Sequence, residues 1–459
     1  MRSRTLYPKL AARSLRANAR FYVPYLIICA VVVALHYDID FLNMNSGMEL
    51  LPGFTSVSGL FAVVVVAYDV FSAFLFFYAN GFLMKRRQRE LGLYSILGMD
   101  KRHIGKMLRW ETLLTAIVAI GGGMLLGIAL SGAFIRLFGA IMQADVPLVF
   151  EVPEIAVIYT VFVYAVILVA NLLANLGRLR LAKPVELVRG TDSGDRVPRT
   201  RRLIAALGFL ALTAGYAISI AANPLQDLSL LLAAVLLVVV ATYCLFSAGS
   251  VALLERLRAD KAYYYRKSHF FTVSGMLHRM RRNASGLATV CVFSTMTLVV
   301  ASTTLCMYLG AGSAALQADD PQLRSVMCGY FLAGLFLSAL FLMASALVLY
   351  YKQVSEGFED ARGFSIMRQV GMSDEEVWDA VRGQAPLAFL PPLVLAACHT
   401  VAALPMTSRI LGALGIGDPW FVAACCAATL AAYAAVYYLV YRLTSRERYR
   451  IAIDRSFVR

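Results

Sequence analysis

The chain is written as ten long apolar runs, and nearly all of its positive charge falls in every second gap between them. The runs lie near residues 21–41, 56–84, 111–140, 152–175, 203–221, 228–254, 285–308, 327–351, 384–404 and 419–441. A hydrocarbon core about 30 Å thick needs about 20 helical residues to cross it, and a helix satisfies its own backbone hydrogen bonds there. Of the 43 Lys and Arg residues, only Arg136, Arg324 and Arg409 fall on the opposite side from the rest. One span more or fewer would exchange the sides of every later gap and scatter the basic residues. Charge and apolarity therefore give the same count, and the basic side is the inside, with both termini in the cytoplasm.

The expected fold is an all-α integral membrane protein with ten transmembrane helices. Only 15% of the residues are charged, against about 25% in a soluble chain. The formal charge of +15 is spread over six inner segments, which suits anionic lipid headgroups and not a nucleic acid. The first apolar run follows a basic segment but lacks a small-residue cleavage site, so it reads as a retained span. All eight cysteines lie in predicted spans with no CxxC among them, the usage of small packing residues.

Two pairs of segments resemble each other. The stretch Leu10-Ala-Ala-Arg13-Ser-Leu15-Arg16-Ala-Asn18 before the first span is matched by Met276-Leu-His-Arg279-Met280-Arg281-Arg282-Asn283 before the seventh. The stretch Met84 to Asp100 after the second span parallels Glu356 to Ser373 after the eighth. Spans one to four then recur as seven to ten, giving two pseudo-symmetric four-helix repeats with an inserted helix pair. An even insertion preserves orientation, so the repeat axis runs along the membrane normal. This divides the chain into 1–190, with an interfacial helix, spans one to four and a first elbow at 85–110; 191–267, with linkers and spans five and six; and 268–459, with a second interfacial helix, spans seven to ten and a second elbow at 352–383.

Each elbow carries the chemistry of helix, glycine break, helix. Leu91, Tyr94 and Ile96-Leu97 follow at helical spacing, Gly98 suits a left-handed cap, and Asp100 suits the next N-cap. In the second, Phe364, Met367 and Val370 precede Gly371, and Ser373 with Glu376 forms a capping box. Such an elbow can lie in a groove of a soluble partner or pack on its own bundle in the headgroup layer. Arg13, Arg16 and Arg20, with Leu6 and Leu10, predict an interfacial helix with snorkelling arginines.

The segment from Tyr78-Ala-Asn80-Gly-Phe82 through Arg89-Glu90-Leu-Gly92-Leu-Tyr94 to Gly98-Met99 resembles the hallmark of FtsX-like ABC permeases, and within them the bacitracin- and lantibiotic-resistance branch. Lys183-Pro184-Val-Glu186-Leu187, Lys352-Gln353 and Leu443-Thr444-Ser445-Arg446 are similar to that branch as well. The resemblance implies a membrane subunit of the bacterial cell membrane with no nucleotide site of its own. ATP and Mg would be held by a separate ATPase, two subunits to one permease, gripping the elbows. Carried over by position, the coupling residues are Arg89, Glu90, Leu91, Tyr94, Gly98 and Met99 in the first elbow, and Phe364, Met367, Gly371 and Met372 in the second. The implied activity is movement or extraction of an amphipathic substrate such as an antimicrobial peptide or lipid, with signalling to a membrane histidine kinase in the resistance branch. The chain departs from that branch between spans seven and eight, where a large external domain is replaced by residues about 309–326.

No GxxxxGK[ST], HExxH or GxSxG occurs, and the five histidines are scattered along the chain, so no catalytic or metal site is expected. Asp69, near the middle of the second span, is the sharpest single residue, because an intramembrane acid is a functional candidate by default. It is either a pivot or lateral binding contact, or an acid satisfied by Ser72 or a neighbouring helix. Asn171 and Asn175 read as interhelical glue, and Gly121-Gly122-Gly123 as a site of close approach. Two other classes stay open: an ATP-driven signalling subunit regulating a membrane kinase or cell-wall hydrolase, and a secondary transporter with structural elbows.

Overall fold

The computed structural model describes residues 6–142, 149–181, 201–223, 226–264, 267–318, 320–369, 374–413, 415–416 and 418–453. Of several residues within helices, among them Arg89, 267–283, 311–318, 362–369 and 374–388, it describes the backbone alone. Among the described residues there is no strand, and ten helices are long and apolar enough to cross a membrane. All ten coincide with the apolar runs of the sequence. The protein is a multi-pass, all-α membrane protein.

The helices are α1 (Leu6–Ala17), α2 (Ala19–Asn43), α3 (Phe54–Ile96), α4 (Lys101–Ala116), α5 (Gly122–Met142) and α6 (Glu154–Leu181). They continue as α7 (Arg201–Ala221), α8 (Leu228–Cys244), α9 (Ser250–Ala259), α10 (Lys261–Tyr264), α11 (Lys267–Ala318), α12 (Pro321–Gln369), α13 (Asp374–Ala413) and α14 (Pro419–Ile453). A single π-turn, Ile117–Gly121, joins α4 to α5, and another, Leu245–Gly249, joins α8 to α9. Where a basic interfacial helix and a span were expected to be separate around residue 284, α11 runs through both without a break. Only residues 319 and 320 separate α11 from α12, and Asp320 accepts the amides of Gln322 (3.0 Å) and Leu323 (3.2 Å) to start α12.

The chain packs as two units, 1–194 with 311–340, and 195–310 with 341–459. In the first unit α2 is the central span, packed against α3, α5 and α6. Its contact with α5 needs glycine. A Cβ on Gly123 would stand 2.6 Å from Val33 Cβ and 2.7 Å from the Ala30 carbonyl, and one on Gly127 would stand 2.9 Å from the Tyr37 ring. The close approach expected at 121–123 thus falls on Gly123 and, one turn on, Gly127; Gly121 and Gly122 meet nothing within 4 Å. In the second unit α7 packs on α8 and α13, and α13 on α14. His399 of α13 is bonded by Tyr216 of α7 (2.6 Å) and Thr242 of α8 (3.0 Å), while Tyr433 of α14 meets Ser294 of α11 at 2.6 Å. Seven of the eight cysteines are buried or partly buried; Cys398 is exposed, and all eight are free thiols.

Candidate functional site

The first elbow is built by one long helix and one glycine. α3 keeps its ladder from Phe54 to Ile96, and at 1.5 Å per residue it is about 65 Å long, well beyond the hydrocarbon core. It ends where Gly98 adopts φ +90°. The Met99 amide returns to the Tyr94 carbonyl (2.9 Å) and the Gly98 amide to Ser95 (3.3 Å), a Schellman closure. α4 then starts at Asp100, whose carbonyl, not its carboxylate, receives the His103 and Ile104 amides.

A buried cation ties this elbow to its neighbours. Arg87 is 3% exposed and forks onto Glu111 of α4 at 2.6 and 2.8 Å. It also donates to Ser14 of α1 (2.6 Å), Tyr22 of α2 (2.9 Å) and Glu90 of its own helix (3.2 Å). Glu90 in turn accepts from Asn18 (3.2 Å), Tyr94 (3.2 Å) and Ser14 (3.4 Å). Burial first, and then the Glu90 carboxylate, push the Tyr94 phenol up from its ordinary range. A bidentate, desolvated guanidinium–carboxylate pair fixes both distance and direction, so α1, α2, α3 and α4 are held at one point.

Apolar packing closes round the same point. Leu91 (2% exposed) lies in a cluster with Ala11, Met84, Ile104, Met107, Leu108 and Leu179, against which Tyr94 and Met99 rest. Leu91 and Tyr94 therefore turn inward, and the apolar residues offered outward are Leu93 (53% exposed), Ile96 (62%) and Leu97 (72%). Glu90 and Tyr94 stand among the residues expected from the sequence to form the elbow, whereas Arg87 and Glu111 do not. The signal was there: Arg87 stands four residues after buried Leu83 and four before buried Leu91, on the inward stripe of the helix. Arg89 lies in α3 with its backbone alone described.

The second elbow is described in part. Phe364 and Met367 belong to α12, which ends at Gln369; Gly371 and Met372 lie outside the described residues, as do Ser373 and the Lys183-Pro184 segment. Near its start, Glu356 is 1% exposed and faces Arg448 of α14 (3.3 Å) and Lys352 (3.7 Å). The second unit thus also carries a buried ion cluster on its long helix α12.

Within the membrane, Asp69 is joined to other helices. Its carboxylate meets His36 Nε2 of α2 at 2.6 Å and accepts from the Tyr159 hydroxyl of α6 at 3.0 Å. The other ring nitrogen of His36 faces Thr160 (3.2 Å) and Asp40 (3.3 Å). The neighbouring-helix alternative is the one realised, and Ser72 bonds the Asp69 carbonyl instead (3.0 Å). His36, counted among scattered histidines, is brought to the acid by the fold. Eleven residues further along α3, Asn80 and Asn175 of α6 exchange both amide hydrogen bonds (3.0 and 3.1 Å), while Asn171 donates to the Ile167 carbonyl (3.1 Å).

Residues 56–181, which hold Asp69, the Arg87–Glu111 pair and the elbow, match the family model described as FtsX-like permease C-terminal. The chain is similar to an uncharacterized ABC transporter permease, YvcS, of Bacillus subtilis, 25% identical over 309 residues, covering 65% of this chain and 46% of that protein. It is similar also to bacitracin export permease protein BceB of Halalkalibacterium halodurans, 25% identical over 319 residues, covering 67% of this chain and 49% of that one. BceB of Bacillus subtilis is 24% identical over 320 residues, with coverage of 67% and 49%. The alignments thus span about half the length of these relatives.

Proposed function

We propose that this chain, which carries an FtsX-like permease domain and is related to ABC transporter permeases, couples ATP hydrolysis on a separate ATPase to movement or extraction of an amphipathic substrate. The observation that carries the reading is the elbow itself. A rigid helix of about 65 Å ends in a clamped corner, with Leu93, Ile96 and Leu97 turned outward beside it. A few apolar anchors on a short helical face suit a groove in a soluble partner, and the fixed corner passes a push on them into α3.

In this reading the elbows and both termini face the cytoplasm, and ATP and Mg stay on the ATPase, two copies of which would engage the two elbows. Glu90, Leu91, Tyr94, Gly98 and Met99 shape the first dock from within. Arg89, and Phe364, Met367, Gly371 and Met372 of the second dock, are assigned by motif position. Relatives named for bacitracin export make a membrane-active peptide the first substrate to try.

The test is purification from the native membrane with the co-eluting proteins identified. A P-loop ATPase that co-purifies with the wild-type chain and is lost from Leu93→Glu/Leu97→Glu supports the reading. Retention of the ATPase by that variant, or its absence from wild type, sinks it. Stimulation of the complex by bacitracin, and not by a detergent of similar charge, would narrow the substrate.

A further inference from the structure

The cations of α1 lie on one line. Lys9, Arg13 and Arg16 follow at spacings of four and three, which confines them to an arc of about 60° round the helix, and Arg20 follows at the start of α2. All four are exposed, and Lys9, Arg13 and Arg16 enter no ion pair among the described residues. No acid precedes Asp38 in the sequence, so no sequence neighbour neutralises Lys9, Arg13 or Arg16.

The joint between α1 and α2 is a single residue, Asn18, whose backbone leaves the helical region (φ −101°, ψ 22°). Its amide closes α1 on the Ser14 carbonyl (3.0 Å), and its carbonyl receives the Tyr22 amide (3.1 Å) to open α2. Three and seven residues after Arg20, on the same face of α2, stand Val23 and Ile27, 50% and 58% exposed on the first span. Exposed apolar side chains on a span face lipid, so the cations above them stand at the headgroup level. An acidic protein would need that line to turn away from the bilayer. The opposite face of α1 is buried at Ala11 and Ser14, and there Ser14 and Asn18 meet Arg87 and Glu90.

We infer that α1 is a strap that binds the phosphates of anionic phospholipids through Lys9, Arg13, Arg16 and Arg20 and, through Ser14 and Asn18, holds the elbow at Glu90. One side of a twelve-residue helix senses the leaflet and the other grips the corner of α3. Anionic lipid therefore orders the elbow. Near an anionic surface each cation contributes about a fivefold gain in association, weakened by salt.

The experiment uses the full chain in lipid nanodiscs, with or without phosphatidylglycerol, and reads amide hydrogen exchange over 6–20 and 87–99. It needs no ATPase, so it is independent of the function proposed above. Phosphatidylglycerol is expected to slow exchange in both segments. Arg13→Gln/Arg16→Gln/Arg20→Gln, which alters only the exposed face, should abolish the lipid effect. With Ser14→Ala/Asn18→Ala, which removes both links to the elbow, α1 should still respond while 87–99 no longer does. Equal exchange in the two lipids, or a lipid effect that survives the triple change, overturns the headgroup site. An elbow that ignores lipid in the wild type, or still follows it in Ser14→Ala/Asn18→Ala, overturns the strap.

Discussion

Replacing Arg87 with Met keeps the aliphatic stem and removes the charged fork. Five hydrogen bonds disappear: two to Glu111 and one each to Ser14, Tyr22 and Glu90. Glu90 is 29% exposed in its side chain and keeps Asn18 and Tyr94, so it bears little of the loss. Glu111 is 5% exposed and is left without its cation. Stripping one partner from a buried pair costs about 3–5 kcal/mol; the adjacent Tyr22 hydroxyl can turn to Glu111, which points to the lower end. A loss of about 3 kcal/mol raises local opening on the order of a hundredfold. In nanodiscs, amide exchange over 87–99 should accelerate by that factor, while the middle of α6 stays as in wild type. Adding Glu111→Leu removes the orphaned charge as well and should recover most of the protection, because an apolar pair in such a site is often neutral or stabilising. Exchange in Arg87→Met within about threefold of wild type, under 1 kcal/mol, would mean that the fork sits in water and clamps nothing. A double variant as open as the single one would mean that shape, not charge, does the holding.

Gly123→Ala drives a methyl into Val33 and the Ala30 carbonyl and should cost about 1–3 kcal/mol, read as a lower melting temperature of the detergent-purified chain; Gly122→Ala, with open space around it, should melt no lower than wild type. Gly98→Ala has room for its methyl but must hold φ +90°, a strain of about 1–2 kcal/mol; proteolysis between Tyr94 and Lys101 should quicken without a change in the spans. Asp69→Asn retains acceptors for Tyr159 and should melt within about 1 kcal/mol of wild type, whereas Asp69→Ala strands two polar partners at about 1–3 kcal/mol. Equal melting of the two variants would show that the His36 and Tyr159 bonds carry no stability.

The ten spans were legible because each is a local property, a length of apolar sequence, and because the basic residues counted them a second time. The Gly98 corner was legible for the same reason: a left-handed residue, its cap and the restart of a helix all lie within seven residues. The partners of Asp69 were not. His36 lies 33 residues away and Tyr159 lies 90, and only packing of α2 and α6 on α3 brings them together. Arg87 was hidden differently. It stands in the run Lys85-Arg-Arg-Gln-Arg89, where composition suggests a solvated face. Its fate is set by helix phase, which aligns it with Leu83 and Leu91. The same phase decides that Leu93 and not Leu91 looks outward.

Three polar contacts of α3 also lie on one edge. Asp69, Asn80 and Arg87 span about five helical turns, roughly 27 Å, and each falls within about 20° of the same line at 100° per residue. Their partners are His36 and Tyr159, Asn175, and Glu111 with Tyr22. A rod attached along one edge is hung like a door on its pins. It can swing about that line with little change at the pins, but sliding along its axis would shear all three together. For the same reason one residue inserted between Asp69 and Arg87 would turn the lower pin by about 100° away from its socket, so the length of this segment is as constrained as its sequence.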